Sequence, residues 1–114
     1  MRKKDIVRDK KTFNTILQSK KNWKCKYFVI YMMKTENINP RFGIAVGKKV
    51  GNAVTRNKLK RIYRVLIDNN KLRFPKTYDY IIIVRNESLN ASFNELNNSI
   101  QNFLDERVEK WKKY

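Results

Sequence analysis

The chain has 114 residues, of which 27 are Lys or Arg and 10 are Asp or Glu, so its formal net charge is +17. Its length suits one domain with a single core, and a hydrophobic content of 41% excludes wholesale disorder. Its apolar runs are as short as single strands, which is too short for a membrane span, and its N-terminus is charged where a signal segment would be apolar. Its one cysteine cannot form an internal disulfide. We therefore expect a cytoplasmic protein with no membrane partner, whose charge indicates binding to nucleic acid.

Four elements are predicted for the first part of the chain. In order, these are a basic arm over residues 1–10, a helix over 11–19, and strands over 27–33 and 42–46. Phe13, Ile16 and Leu17 lie at helical spacing and form one apolar stripe, with Thr12 as a possible cap. The two strands are rich in β-branched and aromatic residues, which favour an extended backbone.

Three elements are predicted for the rest: a helix over 53–69, a strand over 78–84, and an amphipathic helix from 93 to the C-terminus. Asn52 is a good N-cap for the first of these helices, and Ser92 with Glu95 resembles a capping box before the second. The fold class is therefore α+β: a single domain over residues 1–114, built as a small sheet sandwiched with helices.

The positive charge is concentrated in one part of the chain. Residues 1–64 carry 19 basic and 3 acidic side chains, whereas residues 65–114 carry 8 and 7. From residue 41 to residue 67 there are eight Lys or Arg and no carboxylate. An ordinary solvated surface mixes both signs, so this single-sign block indicates a binding face for a polyanion.

Catalytic and metal-binding side chains are largely missing. The chain has no histidine and one cysteine, which excludes a histidine base and the common zinc sites. Its carboxylates are scattered, although a magnesium nuclease would need them clustered. The spacing of Gly43, Gly47 and Gly51 matches neither a dinucleotide loop nor a P-loop. We therefore predict no catalytic and no metal-binding residue in the protein.

The predicted helix over 53–69 has a basic face. With Leu59, Ile62 and Leu66 buried, it presents a polar set outward: Arg56, Asn57, Lys60, Arg61 and Arg64. Lys48 and Lys49 lie just before its N-terminus, which itself favours anions. Guanidinium groups bind phosphate oxygens in pairs, so the face suits a folded RNA backbone.

The run Lys48-Lys49-Val50-Gly51-Asn52-Ala53-Val54-Thr55-Arg56-Asn57 resembles the signature of the bacterial ribonuclease P protein subunit. Lys58 stands where that signature has its second arginine. Lysine keeps the positive charge but lacks the planar guanidinium group that binds a phosphate through two N–H groups. The early helix, the aromatic strand, the strand over 78–85 and the last helix also follow the family order. The resemblance implies a mixed sheet with a left-handed βαβ crossover, as in a ribosomal protein, whereas general rules predict a right-handed one.

The resemblance further implies a function. The family assists endonucleolytic removal of the 5′ leader from precursor tRNA, with the chemistry and its magnesium carried by an RNA subunit. The expected partners are that RNA and precursor tRNA, with no obligate protein partner. The positions implied for RNA-subunit binding are Lys48, Lys49, Asn52, Arg56, Asn57, Lys58, Lys60, Arg61 and Arg64.

By family position, the leader would lie in a cleft lined by Phe13, Leu17 and Tyr31. Exposed aromatic rings stack unpaired bases with little sequence preference. The alternative for Phe13 and Leu17 is an ordinary core role. For the whole chain, the alternative is a ribosomal or other structural RNA-binding protein. A self-sufficient protein nuclease is disfavoured by the missing histidine and the scattered carboxylates.

Overall fold

A computed structural model of the chain describes residues 3–19 and 21–108. The helices are α1 (Lys10–Leu17), α2 (Ala53–Asn70) and α3 (Phe93–Phe103), and the strands are β1 (Asn22–Lys24), β2 (Phe28–Lys34), β3 (Arg41–Val46) and β4 (Tyr78–Val84). The order of the predicted elements is confirmed, with β1 as an addition. α1 starts earlier than predicted because Asp9, not Thr12, is its N-cap and accepts from the backbone nitrogens of Lys11 and Thr12.

The four strands form one mixed sheet in the order β1-β2-β4-β3. β2 is antiparallel to both β1 and β4, and β3 is parallel to β4. The prediction of a basic arm over residues 1–10 needs correction, because Ile6 bridges Phe42 and the Val7 nitrogen donates to the Phe42 carbonyl at 2.9 Å. Val7 is buried there, so this segment extends the edge of the sheet next to β3.

The crossover from β3 through α2 to β4 is left-handed. The Phe42 ring lies in the core on the α2 side, while its carbonyl bonds Val7 on the side away from β4. For an L-residue, these two directions place β4 to the left of β3 when the sheet is viewed from α2 with β3 running upward. A connection that leaves β3, passes in front of the sheet through α2 and returns to a parallel strand on the left is a left-handed crossover. The prediction from the family resemblance is therefore confirmed over the general right-handed rule.

Helices cover the two faces of the sheet unequally. The larger core packs α2 and α3 on one face, with Tyr80 and Ile82 of β4 pointing into it. On the other face, Ile81 packs with Val7 and with Ile16 of α1. Because α1 has eight residues, it leaves several apolar side chains of this second face half-exposed.

The C-terminal helix begins as predicted but is shorter. The Ser92 hydroxyl and the Glu95 carboxylate form the predicted capping box, and α3 ends at Phe103. A π-helical turn, Leu104–Val108, follows, so the predicted continuous helix is interrupted there, and its last turns lie outside the described residues. Within the described ranges, no helix is long and apolar enough to cross a membrane.

Candidate nucleic-acid interface

α2 is fixed at its start and along its buried side. The Asn52 side chain accepts from the Thr55 nitrogen at 2.9 Å, which confirms the predicted N-cap. Leu59 and Leu66 are buried against the sheet, and the Tyr63 hydroxyl bonds the Ser88 hydroxyl at 2.8 Å. Burial raises the pKa of the Tyr63 phenol above its ordinary value. Because its start and its buried side are fixed in this way, α2 presents its exposed side in a defined orientation.

The predicted RNA-binding residues lie on α2 and on the short 3₁₀ helix Lys48–Val50 before it. Seven are exposed and two are partly buried: Lys48, Lys49, Asn52, Asn57, Lys58, Arg61 and Arg64, and then Arg56 and Lys60. Ion pairs between described residues join Arg41 to Asp79, Lys71 to Asp5 and Arg73 to Asp105. None of these pairs between described side chains engages a predicted RNA-binding position.

The predicted positions do not form a single face. A helix turns by about 100° per residue, so Arg56 and Lys58 point to opposite flanks of α2. Lys60 and Arg64 line a cavity on the flank beside α1, whereas Lys58 and Arg61 line a groove on the flank beside α3. The structure thus brings Arg56, Lys60 and Arg64 together at i, i+4 and i+8, and separates Lys58 from them.

The three predicted leader-binding residues are brought together on the half-covered face of the sheet. Phe13, Leu17 and Tyr31 are half-buried and pack against the cluster of Val7, Ile16 and Ile81. Within α1, Ile16 is fully buried and occupies the core position, so Phe13 and Leu17 flank the core with part of their surface exposed. The result is an apolar surface with one phenylalanine and one tyrosine ring.

A cavity of about 120 Å³ connects this apolar surface with the basic flank of α2. Phe13 and Gly43 line it from α1 and β3, and Lys60 and Arg64 line it from α2. An elongated polyanion on the apolar surface would therefore run directly into positive charge.

Comparison with known proteins identifies the family. The family model described as Ribonuclease P matches residues 1–107. The chain belongs to the ribonuclease P protein family. A relative from Mesoplasma florum, named ribonuclease P protein component, is 39% identical over 91% of this chain and 99% of its own length. The solved ribonuclease P protein from Thermotoga maritima is 32% identical with a TM-score of 0.79, covering 87% of this chain and 94% of that one. That from Staphylococcus aureus is 29% identical, also with a TM-score of 0.79, covering 89% and 93%.

Membership of this family confirms the predicted function. The chain is a protein component of ribonuclease P, the endoribonuclease that processes precursor tRNA. Among the described residues, no three His, Cys, Asp or Glu side chains lie together as a metal site would require.

One cation of the carboxylate-free run has a structural role in this ribonuclease P protein. Arg41 donates from Nε to Asp79 Oδ1 at 3.1 Å and from Nη2 to Asp79 Oδ2 at 2.6 Å. Asp79 is fully buried, and its hydrogen bonds raise the pKa of Arg41. Removing one member of such a buried pair leaves the other charge uncompensated, so Arg41 stabilises the β3–β4 pairing.

The structure also shows an apolar groove between α2 and the start of α3 that we did not predict. Four of its large side chains are exposed: Val54, Val65, Leu89 and Phe93. The sequence carried a signal, because Val54, Ile62 and Val65 share one side of α2 at helical spacing, a second stripe beside the buried one.

Proposed function

We propose that this chain binds two RNA partners at once in the ribonuclease P holoenzyme. The RNA subunit contacts the exposed cations of α2, and the single-stranded leader of precursor tRNA lies on the surface of Phe13, Leu17 and Tyr31. The observation that carries the proposal is the cavity shared by Phe13, Lys60 and Arg64, since it makes the two surfaces continuous.

The leader surface suits unpaired nucleotides of any sequence. The half-exposed rings of Phe13 and Tyr31 can stack on bases, and each such contact is worth about 1–3 kcal/mol. Leu17 adds apolar contact without a flat ring. Because stacking does not read the hydrogen-bonding edges of a base, this surface accepts many different leaders.

The surface for the RNA subunit works mainly through charge. Arg61 and Arg64 are exposed and can each bind phosphate oxygens with two N–H groups, while Lys48 and Lys49 add mobile charges near the helix N-terminus. The side-chain amide of Asn57 can both donate and accept hydrogen bonds. Lys60 and Arg64 also line the cavity beside Phe13, so they can reduce the repulsion between the phosphates of the leader and those of the RNA subunit.

The protein supplies binding and positioning, and the RNA subunit supplies the chemistry. Magnesium is held by RNA phosphates in this proposal, in keeping with the scattered carboxylates of the chain. Precursor tRNA and the RNA subunit are its partners.

Capture of the RNA bound in cells tests the proposal against the alternative of a ribosomal protein. The tagged chain is purified under native conditions and its RNA is sequenced. We expect one abundant RNA with the fold of a ribonuclease P RNA subunit, together with precursor tRNAs that still carry 5′ leaders. Recovery of ribosomal RNA as the main species would contradict the proposal.

A further inference from the structure

The groove between α2 and α3 is an unusual concentration of exposed apolar surface. Six large hydrophobic side chains are exposed among the described residues, and four of them, Val54, Val65, Leu89 and Phe93, surround this groove. Its larger compartment has a volume of about 450 Å³. Val54 is 77% exposed and Phe93 is 44% exposed. Clustered apolar exposure of this kind is typical of a binding surface.

The same groove is positively charged. Lys58 and Arg61 line it, and no Asp or Glu is among its described lining residues. The nearby carboxylate of Glu95 is engaged by the Tyr27 hydroxyl at 2.8 Å and by the capping box of α3. A ligand that fits must therefore combine a flat or apolar group with negative charge.

We propose that this groove binds an unpaired nucleotide of the RNA subunit. The base lies against the ring of Phe93 and the side chains of Ile62 and Val65, and a neighbouring phosphate contacts Lys58 or Arg61. The inference rests on the proposed function, because that function brings the RNA subunit to α2. It adds a second contact, on the flank of α2 that faces away from the leader surface.

The position of Lys58 is consistent with this role. Its charge lies on a flexible four-carbon stem, so it can follow a phosphate at the rim of the groove without the fixed geometry of a guanidinium. Phe93 is the first residue of α3, and the Ser92–Glu95 capping box fixes the backbone at that end of the helix. An aromatic side chain at a fixed backbone position, with a mobile cation beside it, suits a stacked nucleotide.

Substitutions at Phe93 test the base contact. We expect Phe93→Ala to weaken binding of the RNA subunit about tenfold, Phe93→Leu to weaken it similarly, and Phe93→Trp to bind as the parent does. Leu72→Ala is the matched control, because Leu72 is 95% exposed and lies outside the groove. Unchanged binding by Phe93→Ala, or full binding by Phe93→Leu, would overturn the proposal.

A charge test at Val54 remains decisive if the Phe93 variants fold poorly. Val54 is the second residue of α2, where a carboxylate complements the helix dipole, so Val54→Glu does not weaken the helix. We expect Val54→Glu to bind the RNA subunit at least tenfold more weakly than Val54→Gln, which has the same size without the charge. Equal affinity of the two variants would overturn the proposal.

A photocrosslinking residue in place of Phe93 identifies the occupant in the assembled holoenzyme. We expect a crosslink to one unpaired nucleotide of the RNA subunit, and a crosslink to a second protein chain would overturn the proposal. Arg64→Ala separates this inference from the function on which it rests. If Arg64→Ala weakens binding of the RNA subunit and Phe93→Ala does not, the groove assignment alone fails; if neither weakens it, both fail.

Discussion

The ring of Phe13 lies over the bare backbone of Gly43. A β-carbon at Gly43 would come within 3.1 Å of Phe13 Cε2 and within 2.7 Å of Ile81 Cδ1. Any larger residue would therefore push the ring of Phe13 and the buried Ile81 side chain away from β3. Glycine at this position lets α1 approach the sheet closely, and this approach sets the distance between the Phe13 ring of the proposed leader surface and the sheet.

Gly43→Ala is therefore expected to destabilise the fold by about 1–3 kcal/mol, as overpacking of a core does. Adding Ile81→Val should restore part of the stability, because valine lacks the Cδ1 atom that the new methyl group would meet. Gly47→Ala is the control, since a β-carbon there meets nothing within 4 Å. Urea unfolding measures the free energy of unfolding of the three variants. Equal stability of Gly43→Ala and Gly47→Ala would refute the close approach of α1 to the sheet.

Removal of an aromatic ring from the leader surface should affect only substrates that carry a leader. We expect Tyr31→Ala to weaken holoenzyme binding of precursor tRNA by about 1–3 kcal/mol for each base that stacks on the ring, and Tyr31→Phe to bind normally. Binding of a leaderless tRNA should not change. The measurement is equilibrium binding of the two substrates, and an equal effect on both would show that Tyr31 does not contact the leader.

The exposed arginines of α2 should control assembly with the RNA subunit. We expect Arg61→Ala or Arg64→Ala to weaken assembly. Each should also reduce, by about one, the slope of the logarithm of the binding constant against the logarithm of the salt concentration. Lys24→Ala is the control, because Lys24 is exposed on β1, at the far end of the sheet from β3. Titrations at several salt concentrations provide the slopes. Variants that assemble normally with the parental slope would place the RNA subunit elsewhere.

The Tyr27–Glu95 contact predicts a pH dependence of stability. The Tyr27 hydroxyl donates to Glu95, and this bond lowers the pKa of the carboxyl below its ordinary value. A carboxyl whose pKa is lower in the folded state stabilises the fold above its unfolded pKa, and the contribution disappears as the pH falls through the folded value. We expect Glu95→Gln, which keeps the capping box, to be less stable than the parent at neutral pH, and the difference to shrink as acid protonates the Glu95 carboxyl of the parent.

Denaturant unfolding across this pH range measures the difference between the two proteins. Tyr27→Phe in the Glu95→Gln background should add no further pH dependence, because the charged acceptor is already gone. A difference between Glu95→Gln and the parent that persists unchanged into acid would contradict the assignment.

The elements whose signals were local are the ones that the sequence predicted well. β4 has the predicted bounds because most of it is the continuous apolar run 80–84, and the polar residues Thr77 and Arg85 lie directly outside its two ends. α2 starts at Ala53, directly after its predicted N-cap Asn52, because capping depends on a few adjacent residues. β1, by contrast, has three residues and is defined by its register with β2, in which Trp23 faces Ile30. Such a strand depends on long-range pairing, which a local pattern does not contain.

The candidate site was predictable in part for the same reason. The identities of the α2 cations follow from the motif, but their division between two flanks requires the position of α2 between α1 and α3. The attachment of residues 6–7 to β3 is also long-range, since Val7 bonds Phe42 across the edge of the sheet. In the structure, the buried Asp5 pairs with Lys71 and Asp9 caps α1.

In the proposed function, this protein assists an RNA that performs the cleavage. The most direct test of this claim is cleavage of a precursor tRNA by the RNA subunit alone, by the protein alone, and by both together at physiological magnesium. We expect the mixture to release the intact 5′ leader much faster than the RNA alone, and the protein alone to cleave nothing. Cleavage by the protein alone, or no stimulation of the RNA by the protein, would contradict the claim.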